Sequence, residues 1–322
     1  MPGDEYALIQ RYFQNLTATR ADVRRGIGDD AAVLAVPAGH ELVVSTDTLI
    51  NEVHFPAATL PADIGFKSMA VNLSDMAAMG AEPCWVTLAL TLPAAEPGFL
   101  EPFCTGFAES AQAYHVALVG GDLTRGPLSV TVQIMGTVPA GSALLRSGAR
   151  PGDQIWVTGE LGSAALGLAV LRGRHCGNAP GLDACVRRLN RPAPCVQAGL
   201  LLRGVASAAI DISDGLLTDL GHVLRASGVG ARVELSCIPM GVALSALPDE
   251  SARWQYALAG GDDYELCFTA PPAAADGIKA RLGDCGCTAT RIGIITAGSG
   301  VQWIGSDGVA VDFSASTGYQ HF

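Results

Sequence analysis

Apolar positions along this chain fall into two alternating rhythms, one helical and one extended. Ile9, Tyr12, Phe13 and Leu16 share a helical face and predict an amphipathic opening helix from Glu5 to Thr17. The run Leu42-Val43-Val44 predicts the end of a buried strand, with Ser45-Thr46-Asp47 at its tip. Pro61 to Gly80 reads as a long helix with proline near its start and glycine as its stop. Within it Ser68, Asn72 and Asp75 stack on one otherwise apolar face, a stripe expected to face a site. Trp85–Leu92 and Leu128–Val138 alternate as strands, and Phe99–His115 is helical. Val116–Val119 is a strand running into a glycine turn and an acid, Gly120-Gly121-Asp122.

Residues 139–152 are rich in Gly, Pro, Ser and Arg and mark a boundary between domains 1–140 and 150–322. Beyond it come a strand at Gln154–Thr158, a glycine-bounded helix through Leu171 and an exposed loop from Arg172 to Gly181. A helix after Pro192 and an apolar run into Ile210-Asp211 follow. Leu216, Leu217, Leu220, Val223 and Leu224 then define an amphipathic helix ending at Gly228. A strand at Val233–Leu235 and a helix near Glu250–Ala259 precede Gly260-Gly261-Asp262-Asp263-Tyr264-Glu265. The chain closes with strand, helix, strand and an aromatic tail, Tyr319-Gln320-His321-Phe322. Alternating strands and helices in both halves predict an α/β (or α+β) protein of two domains.

Composition narrows the function. With 322 residues, 49% of them hydrophobic, the chain can bury substantial cores. Its net charge is −11, and only Lys67 and Lys279 are lysines. No basic run could neutralise a nucleic-acid backbone or an anionic membrane, so neither is an expected partner. No apolar run approaches the length of a membrane span, and Met1-Pro2-Gly3-Asp4-Glu5 lacks the features of a signal peptide. Nine scattered cysteines, an odd count, fit reduced cytoplasmic thiols better than a disulfide framework.

The acids carry the chemistry. Asp29, Asp30, Asp47, Asp122, Asp211, Asp214, Asp262 and Asp263 follow strands or glycines, and Asp75 adds one from a helix face. Any one of them could be a cap or turn residue. Together, in a chain with 16% charged residues, they suggest carboxylates whose repulsion is relieved by hard divalent cations. Mg²⁺ bridging carboxylates to phosphates points to phosphoryl transfer. No G-x-x-x-x-G-K-[ST] loop exists, so a triphosphate would be held by metals, glycine amides and arginine. Arg146, in the segment joining the halves, is the candidate arginine; a solvated loop arginine is the alternative.

Gly28-Asp29-Asp30-Ala31, Ser45-Thr46-Asp47-Thr48 with His54-Phe55 and Asn72-Leu73-Ser74-Asp75 through Gly80 form an ordered set. Gly120-Gly121-Asp122, Asp211-Ile212-Ser213-Asp214-Gly215 and Gly260 through Glu265 complete it. In that order, over essentially the whole chain, they resemble the thiamine-monophosphate kinase family of the aminoimidazole ribonucleotide synthetase-like superfamily. The resemblance implies a two-domain fold whose N-terminal mixed sheet forms a barrel in a homodimer, with a C-terminal α/β domain. It implies ATP-dependent, Mg²⁺-assisted phosphorylation of thiamine phosphate to thiamine diphosphate, the last step of that cofactor's biosynthesis. Asp30, Ser45, Thr46, Asp47, Asp75, Asp122, Asp211 and Asp214 then correspond to metal ligands. Gly121, Asp122, Arg146 and Ser213, with Tyr114 as a further adenine candidate, correspond to nucleotide contacts. His54, Asp262 and Tyr319 correspond to substrate contacts, and Glu52 matches no role. The acceptor is an already ionised phosphate oxygen, so no catalytic general base is required and direct in-line transfer is expected.

Two departures stand out. Many relatives carry Glu at the position of Asp262, and an aromatic that often precedes the terminal Gly-Tyr-x-His-Phe is replaced here by Ser316. Either Tyr319 or Phe313 serves instead, or that wall of the site is more open. Rival readings are another ATP-using member of the superfamily and a non-catalytic metal- or nucleotide-binding protein. A selenophosphate synthetase needs a reactive residue near the N-terminal glycine loop, yet the first cysteine here is Cys84. A hydrogenase-maturation carbamoyl dehydratase ends in cysteine, and this chain ends in Phe322.

Overall fold

A computed structural model describes residues 5–174 and 180–313. The chain divides into two compact units: residues 1–76 with 81–141, and residues 77–80 with 142–322.

The first unit opens with α1 (Glu5–Tyr12), shorter than its periodicity predicts, and the two short strands β1 (Val23–Arg25) and β2 (Val33–Leu34). Then come β3 (His40–Ile50), α2 (Pro61–Ala78), β4 (Glu82–Leu92), α3 (Pro97–Ala113), β5 (Ala117–Arg125) and β6 (Ser129–Pro139). Four strands form a mixed sheet in the order β3-β6-β4-β5, antiparallel except for the β4–β5 pair. Val130, Val132 and Ile134 of β6 and Val86, Leu88 and Leu90 of β4 are buried, as are Met69, Leu73 and Met76 of α2. Phe103 and Phe107 of α3 are fully buried and stack 6.3 Å apart. The helices approach closely at two glycines. A Cβ on Gly65 would lie 2.1 Å from the Phe103 carbonyl oxygen, and one on Gly106 would lie 1.8 Å from that of Ala62. Only a residue without a side chain fits there.

The second unit contains β7 (Gln154–Thr158), α4 (Ser163–Leu171), α5 (Leu182–Asn190), α6 (Val196–Leu202), β8 (Ala208–Ile212), α7 (Leu216–Ser227) and β9 (Gly230–Glu234). It continues with α8 (Val242–Ser245), α9 (Glu250–Ala259), β10 (Glu265–Ala270), α10 (Ala275–Asp284), β11 (Ala289–Thr296), β12 (Gly300–Ile304) and β13 (Ala310–Val311). The sheet runs β13-β12-β9-β11-β7-β10-β8. One core joins Ile155 and Val157, Ile210 and Ile212, and Leu216, Leu220 and Val223 of α7, whose apolar face is the one the sequence pattern predicts. Gly228, with φ 67°, caps α7 by returning amides to the Leu224 and Arg225 carbonyls.

Three expectations change. Ser45-Thr46-Asp47 is not a strand tip: β3 continues to Ile50 and pairs with β6 through eleven consecutive positions. Gly120-Gly121 is not a turn but lies within β5, just beyond an irregular register step against β4. Helix α5 was not anticipated from the sequence. The aromatic tail, including Ser316 and Tyr319, lies outside the described residues, as does part of the 172–181 loop.

Candidate active site

In the first unit, β3 sorts its polar run by pleat. Successive side chains of a strand point to opposite faces, so Ser45 and Asp47 share one face while Thr46 and Thr48 share the other. Half-burial of Ser45 and Asp47 and exposure of Thr46 and Thr48 agree with this. The Ser45 hydroxyl donates to Asp75 Oδ2 at 2.5 Å, fixing β3 against α2. Ser45, Asp47 and Asp75 therefore form one oxygen-rich group beside α2. Thr46 faces away from them, so only its main chain could serve on that side.

The helix stripe divides as well. Ser68 and Asn72 are buried and bond within α2, Ser68 to the Gly65 carbonyl (2.9 Å) and Asn72 Nδ2 to the Ser68 carbonyl (3.0 Å). Asp75 is the member of the stripe that bonds β3 through Ser45. Beyond the strand, His54 Nδ1 accepts the Ile50 amide at 2.9 Å, and the buried Lys67 ammonium donates to the His54 carbonyl at 3.4 Å. Both bonds hold the His54 loop against its supports. Glu52 is an exposed turn residue with φ 63°.

Asp122 belongs to a different row. Register places Thr48, Thr131, Ala89 and Asp122 side by side across the four strands, on the face opposite Asp47. Thr48 and Thr131 confirm the row with hydroxyls 2.9 Å apart, and Thr124 donates to Asp122 Oδ2 at 2.7 Å. Asp122 also lines a cleft of about 660 Å³ within this unit. Its walls include Gly28, Asp29 and Asp30, Gly120 and Gly121, and the apolar face of α1. A Cβ on Gly121 would meet the Leu88 carbonyl oxygen at 1.9 Å, so bare backbone forms this part of the wall. Among the described lining residues there is no Lys or Arg. Tyr114 is not among them either; it is the C-cap of α3.

In the second unit, two acidic motifs are laced together. Asp211 is buried in β8 opposite Leu266 of β10. The strands continue irregularly past Ile212 and Glu265: the Asp262 amide donates to the Ser213 carbonyl (2.9 Å) and the Tyr264 amide to that of Ile212 (2.8 Å). Asp219, absent from the sequence-based set, is buried and accepts the Asp214 amide at 3.0 Å through Oδ2. Burial pushes its carboxyl up to about 7, with the Asp214 charge adding to the rise and Arg146 opposing it. Arg146 is thus electrostatically coupled to the Asp214–Asp219 turn. Its carbonyl accepts from the Ser227 hydroxyl at 3.3 Å. The adjacent Leu145 carbonyl takes the Ala209 amide at 2.8 Å. Only the start of α7 as a first-turn acid hinted at Asp219.

Asp263 and Glu265 turn inward. Asp263 Oδ2 accepts the Gly162 amide at 2.7 Å, Oδ1 is buried, and burial holds the carboxyl well above the usual carboxylate range. Glu265 is gripped by Arg188 (3.1 Å) and Thr158 (2.6 Å). These two anchor the motif, leaving Asp262 half-exposed.

The residues fit a divalent metal by donor chemistry: carboxylate and hydroxyl oxygens dominate, the hard set Mg²⁺ prefers. Among the described residues no three His, Cys, Asp or Glu side chains converge to hold a metal alone. That suits Mg²⁺, which typically takes one or two carboxylates and completes its shell with water and substrate phosphate.

Comparison with known proteins agrees in both halves. Residues 28–138 match the AIR synthase related protein N-terminal domain, and residues 150–304 match its C-terminal domain. The chain is 47% identical over 326 aligned positions to thiamine-monophosphate kinase of Escherichia coli strain K12, spanning 100% of this chain and 99% of that one. The chain belongs to the thiamine-monophosphate kinase family. Its fold is similar to the crystal structure of thiamine-monophosphate kinase from Stenotrophomonas maltophilia K279a (TM-score 0.87, 47% identity, 95% of this chain and 98% of that one). It is also similar to AaThiL complexed with AMPPCP and TMP (TM-score 0.77, 30% identity, 89% of each chain). Family membership accounts for the order of the motifs.

Proposed function

We propose that this chain transfers the γ-phosphoryl group of ATP to thiamine phosphate, yielding thiamine diphosphate and ADP, with Mg²⁺ required. The observation that carries the proposal is the cleft of the first unit, where glycine backbone and Asp29, Asp30 and Asp122 stand where a lysine cradle would otherwise be. Such a wall attracts a triphosphate only through divalent cations. Full-length similarity to a protein named thiamine-monophosphate kinase, and to a relative complexed with AMPPCP and TMP, supports this choice of substrates.

Asp30, Asp47, Asp75 and Asp122, with Ser45 and the Thr46 main chain, are the proposed Mg²⁺ ligands of the first unit; Asp211 and Asp214 are those of the second. Gly121, Asp122, Arg146 and Ser213 are assigned to the nucleotide, with Tyr114 as a further adenine contact. His54, Asp262 and Tyr319 are assigned to thiamine phosphate. Bound Mg²⁺ would neutralise repulsion between the two phosphate groups and the charge developing between them. The protein's own contribution is positioning. Gly121 admits phosphate close to backbone, the Ser45–Asp75 bond sets the carboxylate orientation, and Asp219 fixes the amide of Asp214. No side chain has to remove a proton, because the acceptor oxygen is ionised at neutral pH.

A homodimer paired through the first unit's sheet belongs to the same proposal. Leu42, Val44 and Ile50 on β3 are 48%, 50% and 42% exposed, an apolar strip that pairing would cover. A cytoplasmic setting is proposed from the eight described cysteines, all free thiols. No described helix is long and apolar enough to cross a membrane.

The test is coupled ADP release with thiamine phosphate, thiamine, selenide and an aminoimidazole ribonucleotide precursor as competing acceptors. Thiamine phosphate alone should release ADP, in one-to-one ratio with thiamine diphosphate and only with divalent metal. ATP binding without ADP release would favour a non-catalytic binding protein, and turnover of another acceptor would assign the chain a different reaction.

A further inference from the structure

We propose that Tyr264 and Asp263 are positioning residues that hold the Asp262 carboxylate toward the ring portion of thiamine phosphate; this rests on the assignment of Asp262 to that substrate. Asp262 and Tyr264 both adopt left-handed backbone, with φ 68° and 52°. A side chain keeps that conformation only where its surroundings impose it, and such strain gathers at sites where one orientation matters.

The surroundings here impose it from three directions. The Asp262 and Tyr264 amides are tied to the Ser213 and Ile212 carbonyls at 2.9 and 2.8 Å. Gly261 abuts the same strand, where an added Cβ would lie 2.4 Å from the Ser213 carbonyl oxygen. Asp263 points the other way, into the unit, and its Oδ2 receives the Gly162 amide at the start of α4. With Asp263 pinned on one side and the β8 extension on the other, the intervening backbone has little freedom to relax to an ordinary turn.

Tyr264 completes the clamp. Its ring is buried, and its hydroxyl donates to Asp262 Oδ1 at 3.1 Å. A hydrogen bond onto a charged acceptor is stronger and more directional than one between neutral groups. The phenol thereby fixes the rotamer of the one carboxylate in this motif that stays half-exposed. A carboxylate only accepts hydrogen bonds and attracts positive charge. Asp262 is thus matched to the amine-bearing and cationic rings of thiamine phosphate, not to its phosphate. The Tyr264–Asp262 and Asp263–Gly162 bonds involve no residue assigned to the nucleotide, and Ser213 meets the motif through its main-chain carbonyl, so loss of either side-chain bond should act mainly on one substrate.

The experiment compares the native chain with Tyr264→Phe, Asp263→Asn and Asp263→Ala, by steady-state kinetics and by calorimetric binding of thiamine phosphate. Tyr264→Phe should raise KM and Kd for thiamine phosphate about 10-fold, the usual cost of losing a hydrogen bond to a charged group. KM for ATP and the Tm should stay near native. Asp263→Asn keeps an oxygen acceptor for the Gly162 amide and should stay within about twofold of native, whereas Asp263→Ala should weaken thiamine phosphate more than ATP. Equal changes in both substrate constants, or none in either, would overturn the clamp. Failure of the native chain to bind thiamine phosphate would overturn the substrate assignment of Asp262 itself, a result distinct from a silent Tyr264→Phe.

Discussion

The acids of the two units are deployed differently. In the first unit Asp47, Asp75 and Asp122 sit on regular elements, two strands and a helix. The Ser45 hydroxyl reaches Asp75, and that of Thr124 reaches Asp122. In the second unit the acids come in tandem, and the members of each set divide the work. Asp214 and Asp262 stay half-exposed, while Asp219, Asp263 and Glu265 turn inward to bind amides, a hydroxyl or an arginine. A rigid strand can present a carboxylate without further help, but a loop at φ 68° must be stapled. Repeated acids in a motif thus need not be repeated ligands: one can be the ligand and its neighbour the staple.

The most severe way to probe this division is to neutralise the outward acids of the first unit. Asp47→Asn and Asp122→Asn should each lower kcat about 1,000-fold or more at saturating Mg²⁺, the scale seen when a charge-stabilising group is lost, with the fold intact by circular dichroism. Near-native kcat in either variant would remove that residue from the metal set.

Next comes the staple itself. Gly261→Ala places a Cβ 2.4 Å from a backbone oxygen that cannot swing aside. It should destabilise the chain by about 2 kcal/mol in urea unfolding, within the range for overpacked sites. Gly98→Ala, where an added Cβ meets nothing within 4 Å, serves as the control. Equal stability of the two variants would mean that the Gly260–Glu265 motif is looser than its contacts indicate.

A smaller effect should appear in the pH dependence of the chelator-treated chain. Asp219 titrates near 7 when folded, against about 3.9 in an unfolded chain. Between those values the folded state holds a proton that the unfolded state has lost. The residue's contribution, full below about pH 4, is therefore lost as pH rises through about 7. Asp219→Asn lacks this slope, so its stability relative to native should improve steadily from pH 4.5 to pH 8. A difference that stays flat, or that falls with pH, would contradict burial as the dominant influence on this carboxyl.

Much of the architecture was legible because periodicity and punctuation agreed. Pro61 and Gly80 bracket α2, and Leu216 through Leu224 mark the buried face of α7. What escaped was set by tertiary pairing. Ser45-Thr46-Asp47-Thr48 looks like a loop by polarity, yet eleven rungs of pairing with β6 keep it extended. Helix α5 is only nine residues long and begins at a left-handed glycine without a side-chain cap, so Asp183 in its first turn is a weak start signal on its own. The grouping of Ser45 with Asp75 follows from their spacing only once β3 lies beside α2. Asp219 and Asp263 were hidden for a related reason: a buried acid used as an amide acceptor has the same letter as a ligand, and only its partners separate the two uses.

The division between ligand and staple is tested most directly by counting bound Mn²⁺, a paramagnetic substitute for Mg²⁺, in the presence of a non-hydrolysable ATP analogue by electron paramagnetic resonance. Asp47→Asn should lower the number or affinity of bound ions, while Asp263→Asn should bind as the native chain does. Undiminished Mn²⁺ binding in Asp47→Asn together with loss in Asp263→Asn would reverse the assignment and contradict the account.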